Sequence, residues 1–186
     1  MVLNGIDRIG QYDAVLKGKR LGLITSISGV NNSLCSSIDI LSEKYTLAAL
    51  YSPEHGVRGN VAAGGIVDTY KDPYSGIMVY SLYRSDSKRF TDEMLKGMVA
   101  AHPDYVKRVY DIQDVGTRYY TFISTMYYAC QECEKRQMEF IILDRLNPLG
   151  DAAEGVLLQE GYESFVGAYP ICMRYGLTVG ELAKMI

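Results

Sequence analysis

Apolar positions along the chain fall into short runs separated by stretches of helical period. Residues 20–25 form an apolar run bounded by polar turns and predict a first core strand. A polar turn at 28–33 leads into 37–44, where Ile38 and Leu41 share one helix face at i,i+3 spacing. Residues 46–52 predict a second strand, stopped by Pro53, which has no N–H to give to a ladder. Residues 77–82, 106–111 and 139–144 predict three more strands, the fourth the least apolar and the fifth the clearest. Helices are predicted from Thr91 as N-cap, across 121–136, and from Thr178, which stands at capping-box spacing from Glu181. Residues 53–76 and 145–164 are polar and irregular, and loops of that length are usually functional or disordered.

Strands and helices that alternate in this way predict an α/β three-layer domain with a mainly parallel sheet of at least four strands. One such domain is expected over 1–186. The strands near 20–25, 46–52, 77–82 and 139–144 are expected to be neighbours, because crossovers return beside their origin. Ligands of such sheets bind outside the carboxyl ends of the strands. The polar clusters fall there: Glu54 and His55 after the second strand, Asp111 and Asp114 at the fourth, Asp144 and Asn147 at the fifth.

Composition narrows the partners. A net charge of −3 leaves no basic footprint for nucleic acid. No run approaches the roughly 20 apolar residues of a membrane span. The first residues lack a basic segment followed by an apolar one, so no signal peptide is expected. That predicts a cytoplasmic chain, or a periplasmic or extracellular one whose leader was removed. Sixteen Tyr and no Trp supply rings with polar tips, which suit half-wet carbohydrate surfaces but also sheet edges and interfaces. Cys130-Gln131-Glu132-Cys133 lies inside a predicted helix rather than at its start, so it reads as two thiols on one face and not as a redox pair. No second Cys/His pair stands at zinc-ligand spacing, and neither GxGxxG nor GxxxxGK[ST] occurs, so no metal and no cofactor are expected. A nucleophilic serine elbow, GxSxG, does not occur either.

The polar strand ends suggest glycoside chemistry, which needs a carboxylic acid to protonate the leaving oxygen and often a second carboxylate. Glu54, in Pro53-Glu54-His55-Gly56, is the first candidate; a loop glutamate accepting backbone hydrogen bonds is the alternative. His55 reads as base, substrate donor or structural group. Asp111 and Asp114, followed by Arg118, could bind a metal, orient a sugar or form an internal ion pair. Arg118 and Arg58 are candidates for a substrate carboxylate, and Tyr119 and Tyr120 for stacking on a pyranose. Asp144 and Asn147 could bind hydroxyls or build the turn at Asn147-Pro148. Glu154 is a further carboxylate.

Three long segments, 51–59, 110–126 and 143–150, resemble the exo-β-N-acetylmuramidase family, as do 164–170 and 175–182. The resemblance implies a Rossmann-like domain that releases non-reducing-end β-linked N-acetylmuramic acid from peptidoglycan fragments. It implies Glu54 as leading catalytic candidate and a peptidoglycan-derived saccharide as ligand; Asp111 and Glu154 are further catalytic candidates on the reading of the residues alone. The chain departs from the family at Ser26-Ile27-Ser28-Gly29, where Asn-Pro-Thr-Gly is usual, at 98–108, which is longer and more polar, and at Leu146, where proline is usual. The family continues into a second domain, so a missing C-terminal half is expected. With it come self-association or pairing with a separate C-terminal half, and the alternative of an inactive remnant serving as a sugar-binding or interaction module.

Overall fold

A computed structural model describes residues 2–99 and 106–186, with side chains described outside 96–105. Part of the departure at 98–108, and His102, lie outside the described residues. The sheet has six strands: β1 (Arg20–Thr25), β2 (Thr46–Ser52), β3 (Tyr70–Lys71), β4 (Met78–Ser81), β5 (Val106–Asp111) and β6 (Phe140–Ile142). Their order is β3-β4-β2-β1-β5-β6, and every pair is parallel except β3 with β4. The α/β three-layer expectation is met. The expected neighbours β4, β2 and β1 do lie side by side, but β5 stands between β1 and β6. Residues 53–76, read as loop, contain the two-residue β3.

Period-two alternation sends side chains to two cores. Leu21 and Leu23 of β1, Leu50 of β2 and Val109 of β5 pack with Ile38 and Leu41 of α2 (Ser37–Lys44). The same layer takes Ile6, Ile9 and Leu16 from a 3₁₀ helix (Gly5–Tyr12) and α1 (Asp13–Leu16), two elements the apolar pattern did not announce. Ile24, Tyr51 and Tyr110 face the other way. They meet α3 (Asp92–Val99), α4 (Phe122–Lys135) and α5 (Val179–Met185) through Met94, Met126, Ala129 and Leu182.

The caps follow the sequence. Thr91 accepts from the Met94 N–H at 3.4 Å, and Thr178 and Glu181 form the expected capping box. β5 is the most polar strand and yet fully buried. Its Arg108 guanidinium lies over the rings of Tyr51 and Phe90, 5.6 and 5.5 Å from their centroids, so the cation is housed in an aromatic layer.

The strand order fixes where a ligand can enter. From β1 the chain moves outward to β2, whereas α3 carries it back across to β5 on the other side of β1. The order therefore reverses between β1 and β5, and the loops after these two strands leave a crevice there.

Candidate active site

A cavity of about 470 Å³ opens at that switch point. Ser26, Ile27 and Ser28 line it from the loop after β1, Gln113, Asp114 and Val115 from the loop after β5. His55 and Gly59 close it from the β2 side, Tyr120 and Phe122 from the start of α4. The two central loops are tied together. The Ser28 hydroxyl donates to the Gln113 carbonyl at 3.1 Å, the Ser26 and Ser28 hydroxyls lie 2.8 Å apart, and the Thr25 hydroxyl donates to the Asp111 carbonyl at 2.8 Å.

Glu54 follows β2 and is 9% exposed. Its Oε1 accepts from the Gly64 N–H at 2.9 Å and its Oε2 from the Thr121 hydroxyl at 2.8 Å. His55 has φ 73°, a left-handed conformation that costs a non-glycine residue on the order of 1–3 kcal/mol and that recurs at functional sites. Its Nδ1 donates to the Val61 carbonyl at 3.3 Å, and its ring lies 6.5 Å from that of Tyr120, nearly parallel. Tyr83 stands beside Glu54; burial raises its phenol, and the Glu54 carboxyl raises it further.

Asp114 is 2% exposed. Its Oδ2 accepts from the Gly116 N–H at 2.7 Å and the Tyr175 hydroxyl at 2.5 Å, while its Oδ1, itself buried, has no hydrogen-bond partner within normal distance among the described residues. Burial pushes its carboxyl up, and the bonds from Tyr175 and Gly116 offset part of that. A carboxylic acid with a raised pKa is suited to hold a proton for transfer. Gly116 permits this turn: its φ is 85°, and a Cβ there would lie 2.2 Å from Asn147 Oδ1.

Of the residues expected at the site, His55, Asp114 and Tyr120 come together around the cavity; Glu54 precedes His55 in the chain but is not among the lining residues. The others are placed differently. Asp111 is fully buried and accepts from Arg145 at 2.7 and 2.9 Å and from Ser37 at 2.5 Å, so the internal ion pair exists, with Arg145 rather than Arg118. The Arg118 guanidinium donates to the carbonyls of Val156 and Ile171. Tyr119 is exposed, under the Arg118 guanidinium. Arg58 pairs with Asp72 at 2.9 Å, and Glu154 forms an exposed pair with Arg174 at 2.9 Å. Asp144, at the outer edge beyond β6, accepts from the Gly180 N–H and the Thr178 hydroxyl at the start of α5. That end of the sheet is three strand spacings, about 14 Å, from the end of β2. Asn147 builds its turn, accepting from the Leu149 N–H and donating to the Leu177 carbonyl.

Sequence reasoning passed over Ser26, Ser28, Gln113, Thr121, Tyr83 and Tyr175. The first three were within reach, because the loops after β1 and β5 are marked once a strand order is assumed. No local pattern points to the others.

Comparison with known proteins now decides the lineage. Residues 21–186 match the family described as exo-beta-N-acetylmuramidase NamZ, N-terminal. The chain belongs to that family. It is 49% identical over 188 residues to the peptidoglycan beta-N-acetylmuramidase NamZ of Bacillus subtilis (strain 168), a match covering 99% of this chain and 44% of that protein. Two crystal structures of DUF1343 family proteins from Bacteroides fragilis NCTC 9343 are similar across 98% of this chain. One has a TM-score of 0.85 at 46% identity, the other 0.80 at 31%, covering 45% and 46% of those chains. The chain therefore spans a little under half the length of the relatives it matches.

Proposed function

We propose that this chain carries the catalytic carboxyl of an exo-β-N-acetylmuramidase, a glycoside hydrolase that releases non-reducing-end β-linked N-acetylmuramic acid from peptidoglycan fragments. The observation that carries the reading is the setting of Glu54: a nearly buried carboxyl with both oxygens fixed, at the sheet's carboxyl edge, next in the chain to His55, which lines the cavity at the switch point. Family membership supplies the chemistry this setting serves. Glu54 acts on the glycosidic oxygen as proton donor. Asp114, a cavity-lining residue with a buried Oδ1 outside any ion pair and a raised pKa, is the second carboxyl of the site, a better candidate than Asp111 or Glu154, whose oxygens are held in ion pairs. His55 and Tyr120 form the wall for the sugar ring. The remaining walls come from a C-terminal half such as the relatives' additional length provides.

Release of para-nitrophenol from para-nitrophenyl β-N-acetylmuramide tests this. Native protein is expected to turn over, and Glu54→Gln to lose about 10²–10⁴-fold in kcat, the usual contribution of a general acid. An undiminished rate in Glu54→Gln sinks the assignment. A second reading is a sugar-binding module without turnover, in which Glu54 only holds its loop through the bonds it accepts from Gly64 and Thr121. Saccharide binding in isothermal titration without product release would select it.

A further inference from the structure

We propose that Thr121 is a positioning residue for Glu54, an inference that rests on the proposed role of Glu54. Thr121 stands immediately before α4, where a threonine ordinarily accepts a hydrogen bond from the backbone of the first turn. Here it does not. Its backbone is already helical, at φ −70° and ψ −8°, and its hydroxyl caps nothing in the helix. The hydroxyl reaches 67 residues back along the chain and donates to Glu54 Oε2 at 2.8 Å.

The second oxygen, Oε1, is held from the other side by the Gly64 N–H. Two donors on two oxygens fix both the position and the plane of the carboxyl. The Tyr83 phenol stands beside the carboxyl as a further polar neighbour, so loss of either donor loosens the carboxyl rather than frees it. The donors differ in what holds them. Gly64 belongs to the long loop after β2, whereas Thr121 is built onto the first turn of a fourteen-residue helix. That turn packs into the core through Phe122, Ile123 and Met126. Thr121 therefore transmits the rigidity of α4 to a glutamate that sits on a loop. A general acid displaced by about 1 Å from its line of transfer loses on the order of 10²-fold in rate, so this anchor is read out in kcat. A saccharide held by the cavity walls would not notice it, so KM stays in place.

The test compares Thr121→Val, Thr121→Ser and Glu54→Gln in the full-length native protein. Thr121→Val keeps the shape and removes the donor. It is expected to lower kcat by about 10- to 100-fold with KM within about twofold, and Thr121→Ser to return kcat to within about threefold of native. The melting temperature should stay near native in Thr121→Ser and fall in Thr121→Val only by what the lost bond to Glu54 accounts for, since no cap bond is lost. A readout independent of turnover is the ¹³C resonance of the Glu54 side-chain carboxyl, assigned by its loss in Glu54→Gln. It should move in Thr121→Val and return in Thr121→Ser. A native kcat in Thr121→Val alongside an inactive Glu54→Gln overturns the role of Thr121 and leaves Glu54 standing. An active Glu54→Gln removes the role of Glu54 itself. A Thr121→Ser as slow as Thr121→Val, a loss confined to KM, or a carboxyl resonance unmoved by Thr121→Val each shows that the hydroxyl does not position the acid.

Discussion

Asp72 is the buried carboxylate whose ionisation most directly reports folding. It accepts from the Arg58 Nε and Nη2 at 3.3 and 2.9 Å and from the Ser75 N–H and hydroxyl at 2.9 and 2.7 Å. Burial alone would raise its pKa, but the Arg58 guanidinium and the Ser75 donors outweigh it and hold the group at about 2. A pKa depressed on folding stabilises the native state above the unfolded value, near 4, and that stabilisation is lost as pH falls toward 2. The drop from 3.8 to about 2, at about 1.4 kcal/mol per unit, corresponds to roughly 2 kcal/mol. Urea melts from pH 6 to pH 2 should therefore show native stability falling through this window. Asp72→Asn should start lower by a similar amount and fall less steeply. Parallel curves for the two proteins would show that the Arg58 clip contributes nothing. Arg58 was expected to meet a substrate carboxylate, and nothing local to the sequence reveals that Asp72, fourteen residues on, claims it first.

At the scale of elements, the ends of neighbouring strands are joined by side chains. Arg145, just past β6, reaches Asp111 at the end of β5 and donates to the Val30 carbonyl in the loop after β1, at 2.8 Å. Both members of the pair are almost wholly buried. Arg145→Met should cost about 3–5 kcal/mol, because it strands a carboxylate inside the protein. Adding Asp111→Asn should recover part of that loss, since the charge goes with its partner. A double variant no more stable than Arg145→Met in denaturant titrations would show that the pair is not the stabilising contact. Much of this architecture was legible. The boundaries 20–25, 37–44, 46–52 and 106–111 coincide with those observed, because each is bounded by a turn or cap and filled with residues of one period. The opening 3₁₀ helix was missed because it buries only Ile6 and Ile9, too few positions to declare a period. β3 was missed because two residues carry no alternation. The site was legible to the extent that strand ends are legible: Glu54, His55, Asp114 and Tyr120 stand near the crevice, but which carboxylates are spent in ion pairs depends on Arg145, Arg58 and Arg174, and pairing across the fold leaves no local trace.

The whole molecule leaves apolar side chains outside both cores. Val156 and Leu157 are 69% and 60% exposed, Tyr162 is 73% exposed, and Leu146, Leu149 and Val166 are exposed on the same irregular stretch. Ile66 and Tyr74 are also exposed, in the segment between β2 and β4. Single exposed apolar residues are ordinary, but a run of them along one irregular stretch is the pattern of a surface that another chain segment covers. A monomer in water would gain by burying it at about 25 cal/mol per Å², and a second copy is the partner always present in a purified sample. The chain alone is therefore expected to self-associate, with a mass in light scattering that rises between micromolar and hundred-micromolar concentration. Val156→Ser with Leu157→Ser should reduce that association without lowering the melting temperature, since neither residue contributes to a core. A mass that stays monomeric across the range in the native chain would show that this surface is tolerated in water. Association unchanged in the double variant would place the contact elsewhere, with the edge of β6 and its neighbouring Leu3, Tyr12 and Val15 the next surface to substitute.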